Sequence, residues 1–302
     1  MLGRVLGRAL AAVDDAVVRV RRRHRVFDHF WLAQERYGEV LAGRCAAAIA
    51  YYSFFALFAI GLLAYSVFGF LLSFNLDLFD AVRHYLSQNM QIIDPNAILD
   101  SRGRVGLIGL VGLLFSGIGW VEAIRSSQRL IWRLDQQPGN LIIRRLVDLG
   151  VLLGILIMLA ASIAAVDALE GLIGWLAGGL SFLTSAYAWL MQLMLNMLLG
   201  AALLVAVPRL RMTLRRVAPP VLQVGIGVTL LNTAGRYVIG LAQHNPAYTV
   251  VTGAVGLLVY LYLLNQMLLF AAAWAATSPH GKVWDYSGGP VENHDGDRLH
   301  LA

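Results

Sequence analysis

The residues best suited to chemistry in this chain sit where chemistry is costly, inside long apolar runs. Gln192 and Asn196 are four apart and share one helical face, as do Asn232 and Arg236. Asn265 and Gln266 are adjacent, with Tyr262 four before Gln266, and Tyr51, Tyr52 and Ser53 interrupt an earlier apolar run. Polar groups facing lipid are expensive, so each must meet a neighbouring helix, a wet cavity or a ligand. Amides and a tyrosine can supply hydrogen bonds, and a planar, permanently charged guanidinium can hold a phosphate or carboxylate. The expectation is a polar cavity lined by Arg236, Asn232, Asn265, Gln266, Asn196, Gln192 and Tyr52. The plain alternative is hydrogen bonding between helices, with Arg236 snorkelling outward.

Covalent catalysis finds no comparable set. The seven histidines form neither an i,i+4 pair nor an H-E-x-x-H pattern, and no G-x-S-x-G, Walker or G-x-G-x-x-G motif is present. Cys45 is the only cysteine, which excludes an intrachain disulfide and a cysteine metal site. No cofactor, no metal site and no enzymatic activity are expected.

The elements that must position these residues follow from composition. Of 302 residues, 58% are hydrophobic and 14% charged, against about 25% charged in a soluble domain. Six apolar stretches can each cross a bilayer, which needs about 20 helical residues: Cys45–Leu72, Val105–Ile124, Leu146–Val166, Ala186–Val207, Pro219–Leu241 and Thr249–Thr277. All eight prolines fall outside the interiors of these stretches. The expected fold is all-α, a polytopic membrane protein of six transmembrane helices preceded by an interfacial amphipathic helix. Gly103, Gly106, Gly109 and Gly112 place a small-residue stripe on the second span, where helices can approach closely.

Arginine placement sets the orientation. The net charge is +6, Lys282 is the only lysine, and arginines crowd the segment before span one and the connections two-to-three and four-to-five. The positive-inside bias puts both termini in the cytoplasm. Three regions are expected: a basic segment 1–44, a membrane domain 45–277, and a polar, disordered tail 278–302. No cleavable signal peptide is expected. Residues 2–20 instead alternate at helical spacing, and with Arg19, Arg21, Arg22 and Arg23 they suit anionic phospholipid of the inner leaflet. Nucleic acid is not an expected partner, since no base-reading fold accompanies the arginines. Leu76–Met90 reads as a short interfacial helix, and Gly171–Ser185 as a re-entrant or surface segment.

From Phe30 to Thr277 the chain resembles the YihY/BrkB family of bacterial inner-membrane proteins, within it the YhjD-type branch. The resemblance rests on the run Ala46-Ala47-Ala48-Ile49-Ala50-Tyr51-Tyr52-Ser53-Phe54-Phe55, and on Pro208 to Arg216 followed by Pro219-Pro220. It rests further on the tyrosine-led segment Tyr248-Thr249-Val250-Val251-Thr252-Gly253. Ala59 stands where many members have proline, and Ala271-Ala272-Ala273 where many have Gly-Ala-Glu, so no role for that glutamate carries over. The resemblance implies an envelope protein from a branch linked to movement of lipid A-type precursors. A ribonuclease label once attached to the family finds no acidic metal cluster or His/Asp site here. Without a nucleotide site, the expected function is a carrier or flippase for a lipid-like or anionic amphiphile. A non-transporting envelope-integrity scaffold is the alternative.

Overall fold

The computed structural model describes residue 21 and residues 23–75, 79–80, 84, 95–176, 181–242, 246–287 and 289–291. Within the helices and strands, the side chains of 95–98, 163–176, 181–188, 236–242, 246–252 and 290 lie outside that description. The segments 2–20 and 76–90, expected as amphipathic helices, fall wholly or mostly outside it.

The described elements run α1 (Arg25–Glu39), α2 (Ala42–Phe74), α3 (Pro95–Ile131), α4 (Leu141–Leu176) and α5 (Ser181–Ala201). They continue with a π-helical turn (Ala202–Ala206), β1 (Leu210–Met212), α6 (Leu214–Ala242), α7 (Pro246–Thr277), β2 (Val283–Asp285) and β3 (Gly289–Pro290). Five stretches among the described residues are long and apolar enough to cross a membrane: Ala42–Phe74, Leu99–Ile131, Trp189–Ala206, Leu214–Gly235 and Gly253–Thr277. The chain is an all-α membrane protein. The third apolar run, on α4, is not among the five and lies partly outside the described side chains, so the expected count of six is not confirmed. Of the Gly171–Ser185 stretch, 171–176 end α4, 181–185 begin α5, and 177–180 lie outside the described residues.

α2 and α3 pack antiparallel along the glycine stripe. A Cβ at Gly109 would meet Leu63 N and Leu62 Cβ at 3.0 Å and Ala59 O at 3.2 Å, and one at Gly106 would strike Ser66. Gly112 faces Ala59 at 3.5 Å, whereas Gly103 faces nothing within 4 Å. The backbones touch because no side chains hold them apart.

α1 lies along the end of α7. His29 and Phe30 on α1 meet Trp274 and Phe270, with His29 Nε2 3.0 Å from Trp274 O and the two phenylalanine rings 5.5 Å apart. Burial pushes the His29 imidazole below its ordinary value; the Trp274 carbonyl and Asp28 oppose this, while His280 and Arg216 add to it. A turn at Val40–Leu41, with Leu41 left-handed at φ 51°, separates α1 from α2.

Among the described residues, the main apolar core gathers at one end of the bundle. It unites Ala33, the start of α2 (Ala42, Ala46, Ile49), the end of α3 (Val121, Ile124, Ile131) and the end of α7 (Leu268 to Ala276). The start of α6 (Val221, Val224, Val228) completes it. The same end carries most of the described arginines, Arg102 and Arg104 at the start of α3 being exceptions, and is called the basic end below.

Two expectations are corrected. Pro219 and Pro220 lie inside α6, which begins at Leu214, so Arg215 and Arg216 are helical and not in a loop. A proline pair reads as a helix start, but two missing rungs in the second turn are tolerated where other groups take over the backbone partners. The tail expected to be disordered from 278 is built into the fold as far as Val291. β1, β2 and β3 form an antiparallel sheet with Leu210 opposite Asp285 and Met212 opposite Val283. Gly281 makes the preceding turn at φ +77°, where a Cβ would lie 1.8 Å from Thr213 Oγ1.

Candidate functional site

Two groups of polar side chains stand out. The first is a seam on α6. Thr229, Asn232, Thr233 and Arg236 recur at helical spacing and so share one face of this helix. Asn196 on α5 donates Nδ2–H to Thr229 Oγ1 at 3.0 Å, and Thr229 donates in turn to Gly225 O at 2.8 Å. Tyr260 on α7 donates its hydroxyl to Asn232 Oδ1. The Arg236 side chain lies outside the described residues.

The seam holds only part of the expected set. Asn265 is buried but donates back to Leu261 O of its own helix at 2.8 Å. Gln266 approaches Gly43 at the start of α2, where an added Cβ would be 4.0 Å from its Nε2. Tyr52 lies against Gly119 in the α2–α3 interface. Gln192 is half-buried one turn before Asn196 on α5. Residues 260, 265 and 266 project from different faces of α7, which is why the set does not converge. Of the four arginines expected at anionic lipid, Arg23 is exposed, and Arg21 pairs with Asp28 at 2.6 Å and Glu35 at 3.1 Å. Arg19 and Arg22 lie outside the described residues.

The second group, at the basic end, is a buried arginine network. Arg125 and Arg129 are one turn apart on α3 and almost fully buried. Arg125 grips Asp148 of α4 with two bonds, Nε to Oδ1 at 3.1 Å and Nη2 to Oδ2 at 3.0 Å. Arg209 Nη2 adds a third bond to Asp148 Oδ1 at 2.9 Å. Arg129 grips Asp285 of β2 in the same forked manner, at 2.9 and 2.8 Å. Such paired, charge-assisted bonds satisfy groups that could not otherwise leave water.

The link between α3 and α4 is held carbonyl by carbonyl. Arg129 donates to Asp135 O, Arg125 to Gln136 O at 2.9 Å, and Arg144 to Gln137 O at 3.1 Å. Helix ends use the same device. Arg36 donates to Ile131 O at 3.0 Å, and Gln128 reaches Leu203 O in the π-helical turn at 2.8 Å. Arg216 serves the end of α7, donating to Ala275 O at 2.8 Å, Ala276 O at 3.0 Å and Gly281 O at 3.3 Å. A cation at these last carbonyls suits both the unpaired acceptors and the helix dipole.

The arginines of this network are visible in the sequence as topology signals, with Arg125, Arg129 and Arg133 at i, i+4, i+8. Asp148 and Asp285 are missed. The only available signal is that each is a lone acid beside an apolar or basic run.

Burial raises the Asp285 carboxyl, but hydrogen bonds from Arg129 and the Ser287 amide, with the charges of Arg129 and Arg209, hold it below the usual range. A depressed carboxyl stabilises fully above its unfolded pKa, roughly 3.9, and that contribution is lost as pH falls through the folded value. Pepsin cleavage between residues 281 and 291 is therefore expected to rise as pH drops below roughly 3.9. In Asp285→Asn protein the segment should be cleaved at every pH tested.

Among the described residues, no group of three or more His, Cys, Asp or Glu could hold a metal ion. No solved structure matches the chain. The chain is similar to the inner membrane protein YhjD of Escherichia coli (strain K12), 26% identical over 92% of this chain and 88% of that protein. It is also similar to an uncharacterized protein of Dickeya dadantii (strain 3937), 27% identical over 83% of each. The family model described as Virulence factor BrkB matches residues 33–292, from α1 through the hairpin that carries Asp285, and the chain belongs to that family.

Proposed function

We propose that this chain is a non-catalytic, multi-pass bacterial inner-membrane protein that carries or flips a lipid-like or anionic amphiphile without an ATPase of its own. The inner-membrane location follows the name of the Escherichia coli relative. The arginine bias argues for cytoplasmic termini, with the basic end inside. The observation that carries the reading is the polar face of α6, where Thr229, Asn232, Thr233 and Arg236 line up on a helix otherwise apolar enough to span. A polar stripe across lipid is costly unless a polar partner runs along it. A headgroup moving past amides and a guanidinium, with its tails among apolar walls, is such a partner. Arg19, Arg21, Arg22 and Arg23 are proposed contacts for anionic phospholipid at the inner surface.

The test is reconstitution into vesicles carrying a fluorescent phosphatidylglycerol whose outer-leaflet copies are quenched. Protein-dependent loss of the protected fraction is expected. Arg236→Leu should slow it about tenfold or more, the scale of one lost charge-assisted bond, with insertion unchanged. No protein-dependent movement, or full movement in the variant, overturns the reading.

A second reading is favoured by one observation. Asn196 is satisfied by Thr229 and Asn232 by Tyr260, as expected of helices glued into a non-transporting envelope-integrity scaffold. In that case vesicles would show no movement, while Thr229→Val and Tyr260→Phe would lower the melting temperature.

A further inference from the structure

The ion pairs at the basic end do not balance. Around the α3–α4 link stand three guanidiniums, Arg125, Arg144 and Arg209, and Asp148 is the buried carboxylate they share or adjoin. The link's own acid, Asp135, is exposed and accepts from the Gln137 amide instead. Arg129 and Asp285 neutralise each other nearby. Each nitrogen of Arg125 has an acceptor, in Asp148 or Gln136 O. That is not so for the other two. Arg144 is 5% exposed and uses only its terminal nitrogens, on Gln137 O at 3.1 Å and Gln137 Oε1 at 3.3 Å. Arg209 uses Nη2 alone, on Asp148 Oδ1 and on Arg144 O at 3.3 Å. Nε of Arg144 and Nε of Arg209 are both buried with no hydrogen-bond partner.

Two buried, charged donors without acceptors, in neighbouring residues with surplus positive charge, are an expensive arrangement in a protein alone. The positive charges also raise each other's energy across a medium poorer than water. Burial pushes Arg209 below its ordinary value; Asp148 opposes this, and Arg125 and Arg129 add to it. An acceptor carrying negative charge resolves both problems at once.

We propose that Arg144 and Arg209 form a binding site for a compact phosphate-type oxyanion, reached beside the Asp135–Asn140 link, with Arg125 and Asp148 positioning them. Phosphate matches the planar donor edge of guanidinium. Gln137, which is exposed and holds Arg144 by both its backbone and side-chain oxygens, forms the outer wall. The oxyanion comes either free from solution or as the headgroup of an anionic lipid. The site does not depend on the transport reading and would serve a scaffold equally.

The experiment uses the full chain, purified in neutral detergent or placed in nanodiscs. Inorganic phosphate at millimolar concentration should raise the melting temperature and slow amide exchange across residues 135–145. If the source is a lipid, phosphatidylglycerol nanodiscs should do this relative to phosphatidylcholine, and free phosphate should not. In either arm, Arg144→Gln and Arg209→Gln should weaken the apparent affinity about tenfold or more, the scale of losing a charge-assisted bond. The exchange measurement on unmodified protein stands even if a variant fails to fold. No protection by phosphate or by phosphatidylglycerol overturns the site, leaving water as the acceptor; so does protection that persists undiminished in both folded variants.

Discussion

Protein carrying Asp148→Ala is expected to lose about 3–5 kcal/mol of stability, the scale for removing one partner of a buried ion pair. Asp148 is 1% exposed and receives three hydrogen bonds from two arginines. Its removal leaves Arg125, 0% exposed, and the half-buried Arg209 without a carboxylate. The damage should not stop at α4. Arg125 also holds Gln136 O and Arg209 sits between α5 and β1, so the α3–α4 link and the start of the sheet should loosen together. Thermal unfolding in detergent, followed by size exclusion, measures this. Asp148→Asn keeps the shape and one acceptor and should fall between wild type and alanine. A melting temperature for the alanine variant equal to wild type would mean that the pair contributes nothing net.

Arg216→Met is expected to cost about 3 kcal/mol or more, since two buried carbonyls lose a donor at roughly 1–3 kcal/mol each, not strictly additively, and a third, on an exposed residue, loses one at less cost. Those carbonyls belong to Ala275, Ala276 and Gly281, where α7 turns toward β2. The guanidinium also lies 5.2 Å from the centre of the Trp132 ring, and that contact goes too. Amide exchange should speed up through residues 275–285 while the α2–α3 pair, which touches none of these atoms, keeps its protection. Arg216→Lys retains charge but not the fork, and should recover only part of the loss. Uniform loosening of the whole chain would count against so local a role.

The spans were legible because a helix crossing lipid needs a long run of one kind of residue, and Cys45–Leu72 or Val105–Ile124 supplies it locally. The glycine stripe was legible for the same reason, as a repeat within one helix. What stayed hidden depends on residues far apart in the chain. Asp285 sits in a glycine- and proline-containing polar segment that looks disordered on composition. It is ordered by Arg129, 156 positions earlier, and by pairing with Leu210. Asp148 was passed over as one charge at the edge of a long apolar run, because the arginines that surround it come from α3 and from the approach to β1. The polar set on spans four to six does not converge, because adjacent residues such as Asn265 and Gln266 point about 100° apart on a helix. What needed coordinates is where each goes, Asn265 back to Leu261 O of its own helix and Gln266 toward Gly43.

The way the basic end is tied together has a mechanical consequence. Buried apolar contacts there join α1, α2, α3, α6 and α7, and two forks of charge-assisted bonds fasten α3 to α4 and to β2. Arg216 adds the turn at Gly281 to the same knot. Like a keystone, the end of α3 bears on every one of these neighbours. A pull on the short hairpin is therefore passed through Arg129 and Arg216 into α3 and α6, and is not borne by strand pairing alone.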